Sequence, residues 1–98
     1  MAQHPAPPDL DARFRRRERV VWRDLGGETV LLELGAGRYF DLDVTGSRVW
    51  ALLASPIALR ELVATLEAEF EAPPGAIARD LAELLTELER ERLVERLA

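Results

Sequence analysis

Ninety-eight residues, 48% apolar and 32% charged, are enough for one domain with one modest core, and leave little chain to wall off a deep active site. There is no cysteine, and the single histidine, His4, lies in a proline-rich N-terminus; this excludes a disulfide, a thiolate nucleophile and a Cys/His zinc site, and leaves a Ser-His-Asp triad without a placed base. The net charge of −5 divides into +2 over residues 1–19 and −7 over the rest, an acidic body that argues against sequence-independent binding of DNA or RNA.

All thirteen basic residues are arginine. No apolar run approaches the length of a membrane span, and the N-terminus lacks the apolar segment of a secretory signal, so a cytoplasmic protein is expected. No polar cluster of the kind a small enzyme needs is visible, and nothing calls for a cofactor or metal.

In chain order, residues 1–17 read as a disordered, proline-rich and basic segment. Its arginines either form a patch for an acidic partner or are solvated, with Phe14 tucked against the domain. Residues 18–25 are a strand candidate through Val20, Val21 and Trp22. Gly26 and Gly27 supply the positive φ values of a two-residue hairpin turn. Residues 28–34 form the second strand, Gly35, Ala36 and Gly37 a second tight turn, and residues 38–43 the third strand. Alternation puts Arg38, Phe40 and Leu42 on one face and Tyr39, Asp41 and Asp43 on the other. Two short turns in succession make an antiparallel meander with the second strand central.

Three helices follow. Thr45 is the expected N-cap of the first, residues 46–54, which buries Val49, Trp50 and Leu53 and stops before Pro56. The second, residues 59–71, carries Leu59, Leu62, Val63, Leu66 and Phe70 on one face. Pro73, Pro74 and Gly75 then break the chain. The third, residues 76–91, has an apolar stripe of Ile77, Leu81, Leu84 and Leu88, bordered by Asp80 and Glu87 on the flank away from Leu85. Leu93, Val94 and Leu97 form a tail expected to fold back onto the core. The fold class is α+β, winged-helix-like: a three-stranded antiparallel meander followed by three helices, in one domain over residues 18–98.

Asp41 and Asp43 alternate as the paired acids of some metal sites do, but two acids on a strand do so often by chance, and they read as solvent-facing. The glycines at 35 and 37 lie between two strands, where a phosphate loop would open a helix. The third helix region carries Arg79, Arg90 and Arg92 against Asp80, Glu83, Glu87, Glu89 and Glu91, a net charge of −2 where a DNA-recognition helix needs positive charge. Winged-helix DNA binding therefore rests on the arginines of residues 13–19 alone. The most informative feature is the unpaired edge of residues 38–43. Proteins usually blunt such an edge, but beside an apolar groove it is what a peptide-binding module uses. The competing reading is an edge covered by the protein's own N-terminus.

The run VLLELGAGRYFDLDVTGSRVWALL over residues 30–53, followed by ALRELVATL over residues 58–66, resembles the PqqD-like family, the recognition elements for ribosomally made, post-translationally modified peptides. The resemblance covers about residues 18–95. It implies that an unmodified leader peptide docks as an extra antiparallel strand on the third strand, its side chains entering the cleft between that strand and the third helix. Carried onto this chain, the contacts are Arg38, Tyr39, Phe40 and Asp41 on the strand and Asp80, Leu84 and Glu87 on the helix. The branch that handles the pyrroloquinoline quinone precursor, a chaperone for a radical-SAM peptide-modifying enzyme, usually carries a Pro-Glu-Gly-like stretch before the third strand; Leu34, Gly35, Ala36 and Gly37 stand there instead. The segment at residues 55–59 is more like the stand-alone recognition proteins of lasso-peptide biosynthesis, which implies a separate leader-removing cysteine protease as partner. No catalytic residue, cofactor or metal is implied.

Overall fold

The structure is a computed structural model that describes residues 9–97; residues 1–8, which belong to the expected disordered segment, lie outside the described residues. The element order is β1 (Arg13–Arg16), β2 (Val20–Leu25), β3 (Glu28–Glu33), β4 (Arg38–Leu42), α1 (Val44–Leu52), β5 (Ile57–Ala58), α2 (Leu59–Glu69), α3 (Ala76–Arg90) and β6 (Val94–Leu97).

The meander has the expected order, β2-β3-β4, with both pairings antiparallel. Gly26 at φ 69° and Gly27 at φ 97° turn β2 into β3, a conformation that a side chain would strain. In register, Trp22 lies opposite Leu31 and Leu31 opposite Phe40, so these three share the inner face, with Leu31 fully buried at its centre. Val21, Leu32 and Tyr39 form the next row, on the outer face.

A second antiparallel sheet, β5-β1-β6, is the main departure from expectation. Arg13–Arg16 is a strand and not a disordered lead-in. It pairs with β6 over its whole length, Arg13 opposite Leu97 through Arg16 opposite Val94, and with the two-residue β5 at Arg13 and Phe14. Its alternation turns Phe14 inward, 2% exposed, while Arg13 and Arg15 face water. The apolar tail folds back as expected, and does so as β6. Residues 9–17 thus join this second sheet and do not cover β4.

The helices follow the apolar periodicity. The core gathers Phe14, Leu31, Val49, Trp50, Leu53, Leu62, Leu66, Leu85, Leu93 and Val94, each at most 2% exposed. Burying one such side chain is worth about 1.5–3 kcal/mol. Between the two sheets, Arg16 lies with its guanidinium 4.8 Å from the Trp22 ring centroid and 4.7 Å from that of Trp50, and it donates to the Trp50 carbonyl. The N-cap of α1 is Asp43 and not Thr45: its carboxylate accepts the Gly46 N–H at 2.8 Å, and the helix begins one residue before Thr45.

Candidate functional site

β4 pairs with β3 along one edge; among the described residues its other edge has no partner. β4 enters α1 through Asp43 alone, and Gly46 makes that corner tight. A Cβ on Gly46 would stand 3.3 Å from the Leu42 Cβ and from the Asp43 carboxylate that caps the helix. Glycine therefore lets the end of the strand and the start of the helix pack together.

Beside this corner lies a cleft of about 590 Å³. One wall is the end of β4 and the start of α1, from Asp41 to Gly46. The opposite wall is the first half of α3, where Ile77, Asp80, Leu81 and Leu84 recur at i, i+3, i+4 and i+7 and so share one face. Leu66 and Phe70 from the end of α2 form the floor. That end is held by Arg48 on α1, whose guanidinium grips Glu69 through two hydrogen bonds of 2.9 and 2.7 Å. The grip keeps the Glu69 carboxyl below the usual glutamate range.

The cleft is apolar inside and acidic at its rim. Leu66 and Leu81 are buried, while Phe70, Ile77 and Leu84 are half-buried and still hold apolar surface against water. Asp41, Asp43, Glu71 and Asp80 stand around them, and no basic residue lines the cleft. Among the described residues, no group of three or more potential ligands is placed to hold a metal ion. No helix of the described residues is long and apolar enough to cross a membrane.

Of the seven residues singled out from the sequence, Asp41, Asp80 and Leu84 line this cleft. Phe40 is half-buried on the inner face of β4, with the Arg38 guanidinium 5.3 Å from its ring centroid. Arg38 reaches across to α3 and stands 2.5 Å from the Glu91 carboxylate. Since Asp41 and Asp80 both line the cleft at one end and Arg38 pairs with Glu91 at the other, α3 runs antiparallel to β4. Tyr39 points to the outer face and is 71% exposed. Glu87 is exposed, further along α3 than the residues that line the cleft. Periodicity puts Phe70, Ile77 and Leu81 on the apolar stripes of α2 and α3. Their stripes are core at one end and cleft wall at the other, and the sequence does not show where a stripe runs out of cover.

Comparisons with known proteins converge on one family. Residues 28–94 match the family model described as coenzyme PQQ synthesis protein D (PqqD). No curated protein sequence gives a significant match. Among solved structures, TbiB1 in complex with the TbiA(beta) leader peptide is 36% identical, with a TM-score of 0.79 over 86% of this chain and 98% of that one. The lasso peptide synthetase B1 complexed with the leader peptide shares the fold at 24% identity, with a TM-score of 0.74 over 84% of this chain and 96% of that one.

Proposed function

This chain belongs to the PqqD family, and on that premise we propose that it is a non-catalytic adaptor of lasso-peptide type, which binds the leader of a ribosomally made precursor and delivers it to a processing enzyme. The carrying observation is the unpaired edge of β4 alongside an apolar, half-open cleft. An extended peptide placed there satisfies the free N–H and C=O groups of the strand, and every second side chain drops toward Leu84, Ile77 and Phe70. The 36% identity to TbiB1, a protein solved with a leader peptide bound, supports the same reading.

Leu42, on the inner row of β4, lines the cleft together with Ile77 and Leu84 of α3, and the peptide docks along the free edge of that strand, antiparallel to it as in the family resemblance. Arg38, Tyr39, Phe40 and Asp41 offer it backbone, and Asp80, Leu84 and Glu87 border it from the helix. The outward Tyr39 contributes main chain only. The partner is an enzyme that works on the precursor, a leader-removing protease in the lasso-peptide setting, acting in the cytoplasm. Affinity need not be high: a micromolar Kd corresponds to about −8 kcal/mol, within reach of a few main-chain bonds and two or three apolar anchors.

The test is a proline scan of a leader peptide, with the TbiA(beta) leader as first probe and binding read by calorimetry. Proline has no N–H, so loss of binding should alternate along the peptide, severe where a residue donates to β4 and mild where it does not. Undiminished binding at every proline position would refute strand addition.

A further inference from the structure

Beyond the cleft, where the end of β3 faces β1, the β1–β2 link and the chain entering β6, lies a second hollow of about 440 Å³ with the opposite charge. Arg15, Arg16, Arg17, Arg19 and Arg92 line it, with Glu18, Glu33 and Glu95. The acids are largely committed. Glu95 pairs with Arg15 and Arg17. Glu33 gives one oxygen to the Gly35 N–H and the other to the Ala36 N–H, each at 2.7 Å. Arg16 is held between Trp22 and Trp50. Arg19 and Arg92 make no ion pair among the described residues; they act on the Glu33 carboxylate only at longer range, and its two oxygens are already taken by backbone N–H groups, so both guanidinium groups keep N–H donors for a ligand in this hollow.

Arg92 also stands in an unusual backbone position. It follows α3 in the left-handed region, at φ 63°. Its N–H bonds back to the Glu89 carbonyl at 3.1 Å and the Leu93 N–H to the Leu88 carbonyl at 2.9 Å. This is the helix-ending geometry in which glycine is usual because a side chain is strained there. An arginine at that position keeps its charge beside the hollow at some cost in stability.

Direction links the hollow to the cleft. Glu33 lies opposite Arg38 in the β3–β4 register, and Arg92 follows Glu91, the partner of Arg38. A peptide antiparallel to β4 enters beside Asp41 and Asp80 and leaves beside Arg38. We propose that the arginine hollow receives an acidic side chain of the precursor just C-terminal to the docked strand. The proposal rests on the strand-addition reading above. A carboxylate suits it because a guanidinium offers paired N–H donors in a plane that a carboxylate matches.

The experiment uses the TbiA(beta) leader trimmed to end at the residue that the proline scan places opposite Arg38, untailed or extended by Gly-Glu-Glu or by Gly-Gln-Gln. At low salt the Glu tail should bind the wild-type protein about tenfold more tightly than the Gln tail, the effect of one charge-assisted contact. The gain should shrink as salt is raised. It should vanish in the double variant Arg19→Gln, Arg92→Gln, while the Gln-tailed peptide keeps its affinity. Arg92→Gly separates charge from folding: it should raise the melting temperature and still lose much of the gain. Equal affinity of the two tails for the wild-type protein, or a gain that survives in the double variant, would overturn the proposal and leave strand addition standing. If proline at every position of the untailed peptide leaves its binding undiminished, strand addition falls, and this proposal with it.

Discussion

Arg38 on β4 and Glu91 at the end of α3 form an ion pair at 2.5 Å that ties the two walls of the groove at the end opposite Asp41 and Asp80. The Arg38 side chain is 60% exposed, so the pair contributes little to global stability, about 0–1 kcal/mol. Its effect is on the spacing between strand and helix. Arg38→Gln should leave the thermal melt nearly unchanged and weaken leader binding by up to about fivefold. A large drop in melting temperature would show instead that the pair holds the fold.

Leu84 and Leu81 are neighbours on α3 with different roles. Leu81 is 3% exposed, and Leu81→Ala should destabilise the protein by about 2–5 kcal/mol. Leu84 is half-buried at the cleft. Leu84→Ala should cost less stability and weaken peptide binding by about tenfold, the equivalent of losing one to two buried methylene contacts. Chemical denaturation and calorimetry on the two variants separate the roles.

Asp43, not Thr45, caps α1. Asp43→Ala should cost about 1 kcal/mol, and Thr45→Ala a few tenths, in urea unfolding. The reverse ranking would move the start of the helix and reshape the strand-to-helix corner that forms one wall of the cleft.

Glu33 titrates below the ordinary glutamate value of about 4.5, first because the Ala36 N–H and then the Gly35 N–H hold its charged form, with Arg19 and Arg92 adding to this. A depressed folded pKa contributes stability that is complete above about pH 4.5 and is lost as pH falls through the lower folded value. Wild type should therefore exceed Glu33→Gln in melting temperature at pH 6, and the difference should shrink as pH falls below the ordinary glutamate value. Parallel curves over that range would mean that Glu33 is not held in this way.

What the sequence made legible is what local rules govern. The glycine pair at 26–27 announced the first hairpin, the stripes Leu62–Leu66 and Ile77–Leu81–Leu84 announced two helices, and alternation from Arg38 to Leu42 placed Phe40 and Leu42 together. The β5-β1-β6 sheet stayed hidden because residues 13–16, 57–58 and 94–97 are far apart in the chain and each too short to carry a period. The sequence does not separate Asp43 from Thr45 as cap of α1, because both residue types cap well and only the position of the first helical turn, starting at Val44, decides. The helical wheel groups Glu87 with Asp80 and Leu84, because it fixes angle around α3 and says nothing of how far along it the cleft extends.

The central claim is that a leader adds as an antiparallel strand to β4, over the cleft. Its most direct test is nuclear magnetic resonance of the labelled protein with an unlabelled leader peptide, measuring contacts between backbone protons of the two chains. The account predicts cross-strand contacts from the peptide to Arg38–Leu42, in a register that runs opposite to β4, with peptide side chains touching Ile77 and Leu84. Contacts that fall instead on the other free edge of the meander, at Val20–Leu25, with β4 unaffected, would contradict it.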